Sequence, residues 1–286
     1  MSNNQISKSM QWYFHPVERI RMLRYFQLNM SFNSNNDYTP KYSENPEIGI
    51  VINANKNILY LALQLHYLKN VNNFTKILVY DNCSDKQNEI KNLCNEYNVD
   101  FYSPEAQLYS DNEIGSISDI DIIYQGLIWS KQNNIELLIK FNVEFIPCYS
   151  WKSEFLTLVK KSDAITFTNF INNENYNINF NSDCIGFYVP VWYSDYPLQS
   201  MLFSIQNEMP VCINVWLHEL SKTLSCNNFS DKWFTYCKQN KINYLHSGYA
   251  HWNILENKYT LNRIMNNEND YINKINKIFS NKYKGK

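Results

Sequence analysis

Between Ile48 and Phe141 four short apolar runs alternate with three segments of helical periodicity, and this alternation limits the chain's possible folds more than any other feature. Ile48-Gly49-Ile50-Val51-Ile52 is apolar without a break, the pattern of a strand buried on both faces. Asn57 to Leu68 then places Ile58, Leu61, Ala62, Leu65 and Leu68 at helical spacing. Ile77-Leu78-Val79-Tyr80 reads as a second buried strand, followed by a helix through Ile90, Leu93, Cys94 and Tyr97. Val99 to Tyr102 reads as a third, shorter strand, Ser118 to Asn133 as a helix carrying Ile122, Ile123, Leu127 and Trp129, and Leu137 to Phe141 as a fourth strand. The order β-α-β-α-β-α-β predicts an α/β fold with a mostly parallel sheet, right-handed crossovers and helices on both faces. In such sheets ligands bind beyond the carboxyl ends of the strands.

The flanks are less regular. Residues 1–46 read as a helical appendage and linker: Pro16 opens a helix with Val17, Ile20 and Leu23 on one side, and Asn33 to Pro46 is polar. Packing of that helix on the main domain is the plain expectation; Arg19, Arg21 and Arg24 between its apolar residues also suit a homodimer contact or a membrane surface. Residues 47–150 form the α/β half. Residues 151–264 are its elaborated continuation, with strands expected at Ala164 to Phe167 and Cys184 to Val189, a surface loop at Asn172 to Asn181, and a helix at Trp216 to Leu224. Residues 265–286 are a polar tail, helical around Tyr271 to Ile278.

Composition removes several functions. Lys and Arg total 26 against 27 Asp and Glu, so no basic footprint for nucleic acid is present. No run of about 18 apolar residues exists to cross a membrane, and Met1 to Met10 lacks the apolar core of a signal peptide. Seven cysteines with no CxxC pair read as thiols in a reducing, cytoplasmic compartment, with a peripheral membrane location compatible with the N-terminal helix. Only 6 glycines are present, and neither GxGxxG nor GxxxxGK[ST] occurs, so dinucleotide and P-loop motifs are excluded. His218-Glu219 is not followed by a histidine at 222, so the zincin pattern fails.

The strand ends carry the remaining signal. Val79-Tyr80-Asp81-Asn82-Cys83-Ser84-Asp85 resembles the V-x-D-x-x-S-x-D signature of the family 2 glycosyltransferases, with the last Asp one position early. Ile123-Tyr124-Gln125-Gly126-Leu127, the strand Leu137 to Phe141 and Asn142-Val143-Glu144-Phe145-Ile146-Pro147 follow in the family's order, with Asn-Val-Glu where D-x-D belongs. The resemblance covers about Ile48 to Pro147, a third of the chain. It implies a GT-A-like nucleotide-binding sheet with a C-terminal acceptor-side region, a nucleotide-sugar donor, and polysaccharide-type transfer to a glycan, lipid-linked or protein acceptor.

It also implies residue roles. Asp81 would accept a ring N–H of the base, next to Asn53-Ala54-Asn55 at the end of the first strand. The D-x-D carboxylates of the family hold Mn²⁺ or Mg²⁺ against the diphosphate. Here Asn142 and Glu144 take those places, so either Glu144 carries the metal or cations of the chain, Lys140, His246 and His251, meet the diphosphate. Glu219 is the expected general base for an inverting transfer, with His218 as the less usual candidate. Trp192 and Tyr193 are candidates for stacking on an acceptor sugar. Two other readings stay open: a nucleotidylyltransferase on a similar sheet, against which the missing Gly-rich loop counts, and a non-catalytic glycan-binding relative, which the altered D-x-D favours.

Overall fold

A computed structural model of the chain describes residues 30–32, 42–54, 57–105, 117–143, 156, 163–170, 178–194, 198, 201–202, 205, 244–247 and 250–256. Its strands are β1 (Met30–Phe32), β2 (Ile48–Asn53), β3 (Lys76–Tyr80), β4 (Asp100–Tyr102), β5 (Leu137–Asn142), β6 (Ala164–Phe170), β7 (Ile178–Tyr188), β8 (Tyr244–Ser247) and β9 (Ala250–Glu256). The helices are α1 (Ile58–Asn70), α2 (Gln87–Tyr97), α3 (Ile117–Gln132) and the short α4 (Val189–Trp192). The expected helices at 16–24, 216–224 and 271–278 lie outside the described residues.

All the strands belong to one sheet of order β1-β8-β9-β6-β7-β5-β2-β3-β4. The β4-β3-β2-β5 portion is parallel, as the alternation predicts. The chain steps outward from β2 to β4 and then returns past β3 and β2 to reach β5. Right-handed crossovers made in opposite directions must lie on opposite faces. Accordingly α1 and α2 pack with Ile48, Ile50, Ile52, Ile77 and Val79 on one face. Helix α3 packs with Val51, Leu78 and Leu138 on the other. The reversal places a topological switch point between β2 and β5.

Two glycines permit the tight fit of the α3 layer. A Cβ at Gly126 would lie 2.9 Å from Leu138 Cδ2 and 3.1 Å from Val51 Cγ1, and one at Gly49 would lie 2.5 Å from Ile135 Cδ1. Packed interiors do not absorb such contacts without shifts. Elsewhere asparagine takes over glycine's usual role in left-handed backbone: Asn73, Asn98 and Asn134 have φ of 56°, 51° and 55°. Asn is the residue that tolerates this region best after Gly, which explains how a chain with 6 glycines can turn so often.

Beyond β5 the sheet continues in mixed sense. Strand β7 runs antiparallel to β5 and to β6, while β9 runs parallel to β6 and antiparallel to β8. Three expectations change here. Asn172 to Asn181 is not a loop throughout, because β7 begins at Ile178. Val189 opens α4 instead of ending a strand. Met30–Phe32, within the expected appendage, pairs with β8 at the sheet edge. Among the described residues, no helix is long and apolar enough to cross a membrane.

Candidate functional site

Strand register aligns one row of residues across the carboxyl ends of the parallel strands. Asn142 pairs with Asn53, Asn53 with Tyr80, and Tyr80 with Tyr102. The helices that follow β2 and β3 begin at this same end. Asn57 caps α1, its Oδ1 accepting from the Tyr60 N–H at 3.1 Å. Open strand ends at a switch point, next to helix N-termini with their free N–H groups, form the ligand crevice of such sheets.

Asp81 stands one residue past β3 and is 1% exposed. Its own N–H donates to the Tyr102 carbonyl at 3.0 Å, and its Oδ2 accepts from the Ser84 N–H at 2.9 Å. One carboxylate oxygen thus closes the Asp81–Ser84 turn. Ser84 Oγ accepts from the Lys86 N–H at 3.2 Å, so the start of α2 does not use Asp81. Within this turn Cys83 adopts φ 52°, a left-handed conformation that a cysteine rarely takes and that costs free energy. Nearby, burial and then the Asp81 charge push the Cys94 thiol up to about 12, leaving it unreactive. Cys83, Cys94 and Cys184 are all free thiols.

Lys140 sits on the α3 side of β5 and is fully buried. Its Nζ lies 2.8 Å from Asp119 Oδ1 on the first turn of α3 and donates to Asn142 Oδ1 at 2.6 Å. The ammonium is therefore held beneath the strand end, not displayed at it as the sequence suggested. Gln64 of α1, also fully buried, donates through Nε2 to the Asn142 carbonyl at 2.9 Å. Asn142 is thereby fixed from both faces of the sheet.

A second polar link ties α3 to the strand ends. The Tyr80 hydroxyl donates to Asp121 Oδ2, and Gln125 Nε2 donates to Asp121 Oδ1 at 3.3 Å. Burial raises the Asp121 carboxyl above the ordinary aspartate range, and these two hydrogen bonds oppose the rise. A carboxyl raised in the folded state favours folding when protonated. Its contribution is greatest below the unfolded pKa and is lost as pH climbs through the folded one. Asp121→Asn is expected to be more stable than the parent at pH 7 and equal to it near pH 3.5. Melting curves across pH 3.5–7 test this; a variant less stable at pH 7 would show that the carboxylate itself is needed.

Sequence reasoning missed Asp119, Asp121, Tyr80 and Gln64. A lysine inside the apolar run Leu137 to Phe141 was the available signal, because a buried ammonium requires a partner. The partner's identity was not legible, since Asp119 is distant in sequence.

Four expected residues stand elsewhere. Tyr188 pairs with Leu137 and the Val189 N–H donates to the Glu136 carbonyl at 2.9 Å, so α4 lies at the amino end of β5, opposite the crevice. Trp192 there is 0% exposed, its Nε1 donating to the Asp163 carbonyl at 2.9 Å and its ring edge-on to Phe187. It has no free face for an acceptor sugar. Tyr193 is half-buried at the same end, with Lys131 Nζ 5.8 Å from its ring centre.

His246 and His251 are cross-strand partners. Trp252 pairs with Ala164, Ala164 with Phe187, and Phe187 with Leu138. His251 therefore stands about level with Leu137, roughly 17 Å along the strand direction from the level of Asn142 and about 14 Å across it. This register sets both histidines away from the strand end that carries Asn142. Asn55, Glu144, His218 and Glu219 lie outside the described residues. No group of three or more His, Cys, Asp or Glu able to hold a metal ion occurs among the described residues.

No family model matches the chain, and no curated protein does. Several solved structures are similar over part of it. A cytidylyltransferase from Leptospira borgpetersenii is 14% identical, with a TM-score of 0.38, over 64% of this chain and 73% of that one. S. aureus TarS 1–349, solved with UDP, is 13% identical, with a TM-score of 0.38, over 56% of this chain and 53% of that one. The galactosyltransferase LgtC, solved with donor and acceptor sugar analogs, is 14% identical, with a TM-score of 0.39, over 60% of this chain and 70% of that one. The chain thus spans about half the length of the TarS fragment and about 70% of the other two.

Proposed function

We propose that the chain is a glycosyltransferase that moves a sugar from a UDP-linked donor to a glycan, lipid-linked or protein acceptor. The observation that carries this reading is Asp81: a buried carboxylate just past β3, beside the β2–β5 switch point, in a sequence resembling the family 2 signature. Oδ2 closes the turn, which leaves Oδ1 to accept from the ring N–H of uracil. Asn53 lies beside the base, and Asn142 with Glu144 meets the diphosphate. Glu219 removes the proton of the acceptor hydroxyl as its oxygen attacks the anomeric carbon, and the nucleoside diphosphate departs; His218 is the second candidate for that base.

Calorimetric titration with UDP tests the central assignment. Asp81→Asn retains an acceptor for the Ser84 N–H but offers the base an amide donor in place of an acceptor. The expected result is a Kd raised about 10- to 100-fold, the effect of losing a hydrogen bond to a charged group, with a circular dichroism spectrum like the parent's. An unchanged Kd would remove Asp81 from the base site. Glycan binding with no affinity for any nucleotide or nucleotide sugar would favour the non-catalytic reading instead.

A further inference from the structure

We infer that Ser103 is a positioning residue of the base site, holding the Asp81–Ser84 turn in the form that aims Asp81 at the base. The inference rests on the nucleotide reading of Asp81. The turn is fastened to the end of β4 at two points. The Asp81 N–H donates to the Tyr102 carbonyl at 3.0 Å, a main-chain bond that does not depend on the side chain at 102. The Cys83 N–H donates to Ser103 Oγ at 3.2 Å, a bond that requires a side-chain acceptor at 103. Two features of the sequence suit Ser103 to this task. Pro104 follows it and is buried, and the residue before a proline is biased toward extended backbone. The serine's own proton is directed to the Pro104 carbonyl at 3.5 Å, which leaves the oxygen's lone pairs for Cys83.

Cys83 is where the turn needs holding. Its φ of 52° is left-handed, and a cysteine, unlike Gly or Asn, meets a steric cost there. The Ser103 bond acts on the N–H of this same residue and offsets part of the cost. Without the bond, Cys83 gains by returning to negative φ, and that rotation displaces the next N–H, that of Ser84. The Ser84 N–H is the group that pins Asp81 Oδ2 at 2.9 Å. Its loss frees the carboxylate to turn, and Oδ1 no longer faces the base. Ser103 thus acts on the nucleotide through Asp81, without touching the base itself.

The test is a double-mutant cycle read by UDP calorimetry on the intact chain, with Ser103→Ala, Asp81→Asn and the two combined, and with Ser103→Thr as the conservative variant. Ser103→Ala is expected to raise the Kd for UDP about fivefold, the effect of one hydrogen bond. Ser103→Thr keeps the hydroxyl and is expected to stay within about twofold of the parent. In the Asp81→Asn background the alanine substitution should change the Kd by less than about twofold, because the group it positions is already lost. A residue that only stabilised the edge of the sheet would lower binding equally in both backgrounds. The inference is overturned by that equal loss, by a Ser103→Ala protein that binds UDP as the parent does, or by a threonine variant as weak as the alanine one. In each of these cases a weakened Asp81→Asn leaves the nucleotide reading standing. An Asp81→Asn protein with unchanged affinity, or a parent that binds no UDP, would overturn both.

Discussion

Lys140→Met is expected to destabilise the protein by about 3 kcal/mol, the lower end of the range for breaking a buried ion pair from one side. Lys140 is fully buried, and its partner Asp119 is 22% exposed, so water screens part of the orphaned carboxylate and holds the loss below the top of that range. Two acceptors, Asp119 Oδ1 and Asn142 Oδ1, lose a donor. For a domain of this size the melting temperature should fall by about 6–12 °C. In urea the midpoint should move with an unchanged slope. The double variant Lys140→Met, Asp119→Asn removes both charges and should recover most of the loss, giving a coupling energy well above the few tenths expected of independent sites. Additive effects in that cycle would mean that Lys140 stabilises the strand by packing alone.

Trp192→Ala is expected to cost about 3–5 kcal/mol, the usual range for truncating a buried aromatic residue. The indole is closed off from solvent, packs edge-on against Phe187 at 5.0 Å between ring centres, and donates to the Asp163 carbonyl. That carbonyl also accepts from the Tyr188 N–H at 2.8 Å, so it keeps one partner in the variant and the loss is mainly cavity and contact area. Trp192→Phe should retain most of the stability, losing one hydrogen bond of about 1 kcal/mol and some volume. Urea denaturation of the two variants provides the comparison. A Trp192→Ala protein as stable as the parent, with altered acceptor KM, would return this residue to the acceptor site.

Much of the α/β half was legible because its information is local. A strand buried on both faces is an unbroken apolar run, and a helix covering it repeats at 3.6 residues. The crossover rule then fixes the hand of each connection. Gly126 was recognised as part of a motif, and its physical reason, the approach of α3 to Val51 and Leu138, is a packing fact. Asp81 could be placed at a strand end from the sequence; that it shares one oxygen with the turn at Ser84 could not.

The other half was misread where two strands and their order had to be known together. His246-Ser247-Gly248-Tyr249-Ala250-His251 read as a loop that could return to the diphosphate. Its flanks are β8 and β9, and a chain of pairings through β6 and β7 sets them level with the amino end of β5. Trp192 and Tyr193 were displaced by the same logic, since the direction of β7 decides at which end of the sheet α4 emerges. The sequence by itself determined the parallel strands of the α/β half and the residues at their carboxyl ends, because periodicity and chirality act over short stretches of chain. Only the tertiary structure decided which residues share an end of the sheet and which way Asn142 turns its amide, because register and buried charge pairs join residues that no local pattern connects.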